Sequence, residues 1–146
     1  MPTRLQLVQG ATPHLGDPIA AVQVILRKYP QARVESSPAR VTVYPVDATG
    51  FEVSLKIHKS ACHVFCEGWH EEFADPESAL HCFASALSPA SRLRVTRRGG
   101  VAYRWELQGR DASGQWVGVS EVGRWLFPFW ARKEVVYLQN QLLEAA

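Results

Sequence analysis

The side chains best suited to binding a metal or moving a proton fall in one stretch: Cys62, His63, Cys66, His70, His81 and Cys82. Four nitrogen and sulfur donors of this kind would satisfy zinc, but structural zinc sites draw on pairs of close-spaced ligands. Here Cys62 and His63 would point to opposite faces of a strand. Cys62 and Cys66 fit better as small apolar side chains flanking Val64 on a core face. Neither a metal nor another cofactor is therefore expected. On a helical wheel Cys82 lies opposite Leu80, Phe83 and Leu87, which reads as an exposed thiol with no basic sequence neighbour to activate it.

Catalysis by a Ser or Cys nucleophile calls for a sharp turn with a base in reach, and no G-x-S-x-G pattern occurs. His58, His63 and His70 are the candidate bases, and Glu67, Glu71, Glu72 and Asp75 form an acidic run around Trp69. Those groups gain catalytic meaning only if the fold gathers them in a pocket between sheet and helices. Gly99-Gly100 lies in neither a dinucleotide-binding nor a Walker pattern, so it reads as a hairpin turn.

The stretch of most unusual composition runs from Arg124 to Lys133, with four aromatic rings in the six positions Trp125 to Trp130 and cations on both flanks. One reading makes Phe127 and Phe129 the staple of a final helix, with the tryptophans covering the core edge. The other makes Arg124, Trp125, Phe127, Phe129, Trp130 and Arg132 an interface, since exposed Trp beside Arg is the composition of binding hot spots. Stacking of single-stranded bases is a weaker use of the same rings.

The elements that must position these residues are set by periodicity and punctuation. Asp17 and Pro18 open a helix that runs to Tyr29, with Ile19, Val22, Ile25, Leu26 and Tyr29 on one face. Val41 and Val43 begin a strand region. After a turn at Asp47 to Gly50, Phe51, Val53, Leu55 and Ile57 alternate with polar residues, and Ala61 to Glu67 is a third strand. Asp75 and Pro76 repeat the helix start, and Ser88 and Pro89 end it. Three more strands follow, carrying Leu93 and Val95, Val101 to Gln108, and Trp116 to Val122, with turns at Gly99-Gly100 and at Asp111 to Gly114. A last helix is expected from about Pro128 to Leu143, on Ala131, Val135, Leu138 and Leu142. A shift of 52 positions superposes Val41 on Leu93, Phe51 on Tyr103 and Pro76 on Pro128, as a pseudo-repeat would.

The expected fold is α+β: about six antiparallel strands with three helices mainly on one face, in the order α-βββ-α-βββ-α. The uncovered face would carry Glu52, Ser54, Lys56 and His58, with Arg104, Glu106 and Gln108. This order resembles that of the secretion-chaperone type of α+β domain, and the resemblance implies a small dimer that holds partner chains.

Composition bounds the function. With 146 residues, 47% hydrophobic and 21% charged, the chain suits one domain, residues 1–146, with its own core. No apolar run nears the roughly 20 residues of a membrane-spanning helix. Met1 to Leu15 lacks the basic start and apolar stretch of a leader, and three cysteines fit reduced thiols, so a cytoplasmic location is expected. The net charge of +2 conceals an asymmetry: seven Lys/Arg against nine Asp/Glu through Pro89, then nine against five. That imbalance is too mild for a nucleic-acid partner, and no membrane partner is expected. The expectation is a non-enzymatic protein-interaction domain, chaperone-like or adaptor, acting as a homodimer. The alternative is a small-molecule-binding domain or small enzyme using His58, His63 or His70.

Overall fold

Asp17 and Asp75 start the two helices by the same local chemistry. The computed structural model describes residues 17–143; Met1 to Leu15, read above for a leader, lie outside them. In α1 (Pro18–Leu26) the Asp17 carboxylate accepts the Ala20 amide at 3.2 Å. In α2 (Pro76–Ala86) the Asp75 carboxylate accepts the amides of Glu77 at 3.0 Å and Ser78 at 3.2 Å. Each helix places proline where the missing N–H costs nothing. α1 stops short of Tyr29, because the Lys28 and Tyr29 amides bond back three residues, to Ile25 and Leu26, and tighten the last turn.

Between the helices lies an antiparallel meander of five strands: β1 (Arg33–Ser37), β2 (Arg40–Tyr44), β3 (Val53–His58), β4 (Ala61–Cys66) and β5 (Trp69–Phe73). After α2 come β6 (Ser91–Arg98), β7 (Val101–Arg110), β8 (Trp116–Gly123) and β9 (Lys133–Leu138), arranged β8-β7-β6-β9. The described residues thus form two antiparallel sheets and two helices, and the class is α+β as expected. Three finer expectations are corrected.

The final helix from Pro128 to Leu143 does not form; residues 133–138 are instead a strand paired with β6, Val136 opposite Val95 and Leu138 opposite Leu93. The apolar spacing that looked helical also contains the run Val135-Val136-Tyr137, whose branched and aromatic side chains favour a pleated surface. Strands β1 and β5 add to the expected six. β1 is exposed along its whole length and so carries no apolar alternation to read. In β5, Glu71 sits between Trp69 and Phe73 on the face they share and hides the period of two. The pseudo-repeat fails with these changes, since Pro76 opens a helix whereas Pro128 sits in a loop, and the two halves hold five and four strands. The element order behind the secretion-chaperone resemblance is likewise not observed.

Alternation assigns the faces. Val41, Val43, Val53, Leu55, Val64 and Cys66 are all buried on the face covered by α1 and α2. Leu93, Val95, Trp105 and Leu107 of the second sheet complete the same core. The sheets meet where β5 approaches β7 and β8. There the fully buried Trp69 donates its indole N–H to Ser120, 3.0 Å from Oγ and 3.2 Å from the carbonyl oxygen. No helix among the described residues is long and apolar enough to cross a membrane.

Candidate functional site

The β8–β9 connection joins the two outer strands of the second sheet, so it must cross the end of β7 and β6. Its base is well tied. The Arg124 amide donates to the Tyr103 carbonyl at 2.7 Å, the Gly99 amide to the Arg132 carbonyl at 3.1 Å, and the Arg98 guanidinium to the Ala131 carbonyl at 3.1 Å. Phe127 lies flat on buried Tyr103, ring centroids 4.0 Å apart. Gly99 has φ +57, and a Cβ there would press on Ala131, so the hairpin tip needs its glycine.

What this base presents is apolar. Trp125 is 86% exposed, Leu126 72%, Phe129 70% and Trp130 77%. Phe129 and Trp130 meet edge to face at 5.2 Å. Arg124, Arg132 and Lys133 flank them, also exposed, and no acidic residue occurs from Arg124 to Lys133. Of the six residues singled out as an interface, Arg124, Trp125, Phe129, Trp130 and Arg132 are on the surface, while half-buried Phe127 is the staple. Leu126 belongs with the exposed set, though nothing in its residue type marked it.

The histidines lie elsewhere. His58, His63 and His70 are on the face of the five-stranded sheet turned away from the helices, in an aromatic row with Phe65. His58 and His63 stand 6.4 Å apart, His63 and Phe65 6.3 Å, and Phe65 and His70 6.0 Å. His63 Nε2 is 3.9 Å from Glu72, which is itself mostly exposed. They line no pocket between sheet and helices. Beside them Ser54 and Thr42 are buried on the open face as a hydroxyl pair at 2.8 Å, roofed by Arg40 and Phe65. Among the described residues no group of three His, Cys, Asp or Glu side chains is placed to hold a metal ion.

The helices do cover a cavity, with other residues. A groove of about 730 Å³ opens between β5, α2 and the β7–β8 edge. Trp69, Phe73, Leu107 and Val119 give it an apolar floor, Glu71, Asp75 and Glu77 line one side, and Arg110 and His81 also reach it. The Ser78 hydroxyl and the helix amides hold the Asp75 carboxyl below the usual carboxylate range. Cys82, expected on the exposed side of its helix, is partly covered and lines this groove. Burial pushes its thiol up to about 12 and raises Cys66 well above the ordinary value, so both stay protonated and are poor nucleophiles.

On the outer face of the second sheet, Arg92 is sandwiched between Trp116 at 4.5 Å and Tyr137 at 4.1 Å, and Arg110 sits 4.2 Å over the other reach of Trp116. Arg92 also donates to Gln108 at 2.6 Å, and Gln108 to Glu106 at 2.6 Å. The array clasps the second sheet across all its strands. It was invisible in sequence because its members lie on four strands. Compared with known proteins, the chain matches no family model, no curated protein and no solved structure.

Proposed function

We propose that the chain is a non-enzymatic protein-interaction domain, homodimeric, that binds through the loop from Arg124 to Arg132. The observation that carries this reading is the exposure of Trp125, Leu126, Phe129 and Trp130 together on one tied loop. Three exposed aromatic rings and a leucine amount to roughly 700 Å² of surface. Exposed apolar surface of that size on one loop marks a binding site, and it approaches the ~800 Å² per partner of a standard interface. Tying the loop at its base also lowers the entropy lost on docking.

The competing reading, a small-molecule site or small enzyme, has the groove beside α2 in its favour. None of His58, His63 and His70 reaches that groove, where His81 stands beside the carboxylates instead, and its thiol is held protonated. Light scattering over a concentration series tests the first reading. Wild type is expected to self-associate, and Trp125→Ala/Trp130→Ala to do so at least 100-fold more weakly, as loss of two hot-spot rings implies. Because both rings are mostly exposed, the variant should unfold in urea within about 1 kcal/mol of wild type. Equal association of the two proteins would remove the loop from the interface.

A further inference from the structure

We infer that the loop of one copy docks in the groove between β5, α2 and the β7–β8 edge of a second copy, so that two chains exchange loops. This rests on the reading of the loop as the binding element and names what receives it. The two surfaces are complementary in kind. The loop is an apolar tip between Arg124 and the pair Arg132-Lys133, with no carboxylate in it. The groove is an apolar floor of Trp69, Phe73, Leu107 and Val119 with more carboxylates than cations on its walls, Glu71, Asp75 and Glu77 against Arg110. Its volume of about 730 Å³ lies within the range of cavities that hold drug-sized molecules, the scale of two or three aromatic side chains. Val119, in the groove, is itself 63% exposed.

A chain cannot fill its own groove with its own loop. The loop is pinned beside Tyr103 and Gly99, at the start of β7, whereas the groove runs from Leu107 to Arg110, toward its end. Along the strand, Leu107 is about 13 Å from Tyr103 and Arg110 about 23 Å. Nine residues tied at both ends reach about 15 Å even if fully extended. The turns closed by Phe129 on Phe127 and by Ala131 on Pro128 shorten this loop further. The loop cannot fill this groove along its length, and Trp125, Leu126, Phe129 and Trp130 stand in solvent in their own chain, so the receptor is another molecule. Reciprocal exchange makes the same contact twice and closes the assembly, as two-fold symmetry requires. An anionic lipid surface would also accept Trp between cations, but it has nothing to place in an apolar groove whose charged lining is mainly acidic.

Complementation between two defective chains tests the exchange. Trp125→Ala/Trp130→Ala disables the loop and keeps the groove; Val119→Arg places a bulky cation in the groove and keeps the loop. Each variant alone should associate at least 100-fold more weakly than wild type by light scattering. A mixture of the two, one tagged to differ in mass, should form mixed dimers in native mass spectrometry, because one intact loop–groove contact remains. Loss of association in the loop variant with wild-type association in Val119→Arg would overturn the exchange and leave the loop reading standing. Association unchanged in both would overturn both. A monomeric wild type that sediments with phosphatidylserine vesicles through its loop would also overturn it, in favour of a lipid occupant. Should Val119→Arg lose its cooperative thermal transition, Val119→Trp, which fills the groove with a ring of its own, takes its place.

Discussion

At the scale of single residues, the chemistry of this chain is governed by burial more than by residue type. Cys82 looked like a surface thiol on the wheel, yet it lines the groove and is partly covered, and burial pushes its thiol up to about 12. The unfolded chain, with an ordinary value of 9.0, loses that proton first. The stabilising contribution is therefore complete below about pH 9 and is lost as pH rises toward 12. Cys66, also raised by burial, acts in the same direction. Urea unfolding from pH 8 to 10.5 should show stability falling above pH 9, with a shallower slope in Cys82→Ala. An identical slope would mean the thiol is more solvated than its surroundings indicate. His58, His63 and His70 make the opposite point: their types suggested chemistry, but they stand on the sheet face turned away from the helices and none lines the groove.

At the scale of elements, strong local signals were honoured and weak ones were decided by neighbours. Asp-Pro starts, the hairpin at Gly99-Gly100 and the alternation of Val53 to Ile57 were all legible, because each is fixed by groups within a few residues. The segment 133–138 was not. Its apolar positions suit a helix or a strand, and the free edge of β6 settles the matter by offering a ladder of unpaired backbone groups. Because β9 is an edge strand paired only with β6, alternate amides from Lys133 to Leu138 should be protected in hydrogen exchange by NMR. Protection at every consecutive amide would indicate the helix instead. Moving this segment out of a helix is also what frees Trp125 to Trp130 to form an exposed loop.

At the scale of the molecule, the two sheets are held together by few polar groups, and Asn140 is the most connected of them. Following β9, the chain turns back to the first sheet. There the Asn140 amide accepts the Phe51 N–H at 3.0 Å and donates to the carbonyls of Phe51 at 2.9 Å and Ala86 at 3.1 Å. Around it the Gln139 amide bonds Thr49 and the Leu143 amide bonds Leu87. With 6% of its surface exposed, Asn140 leaves three buried backbone groups unpaired when truncated. Asn140→Ala should therefore lower stability by about 3 kcal/mol in urea unfolding. A change under about 1 kcal/mol would mean that water replaces the side chain readily. Gly50 is part of the same joint, since a Cβ there would strike the Asn140 side chain.

The sequence by itself determined the α+β class, both helix starts, most hairpin turns and the surplus of aromatic rings beside cations at 124–133. All of these depend on residues close in the chain. Only the tertiary structure decided that 133–138 is a strand, that β5 joins the first sheet, that Trp125, Leu126, Phe129 and Trp130 stand in solvent while Phe127 is stapled to Tyr103, and that a groove forms beside Cys82. Each of these depends on partners far away in sequence: β6 for β9, β4 for β5, Tyr103 for the loop, and the second sheet for the groove. Backbone groups and apolar faces seek whatever partner the assembled chain brings to them, and local spacing carries no record of which partner that is.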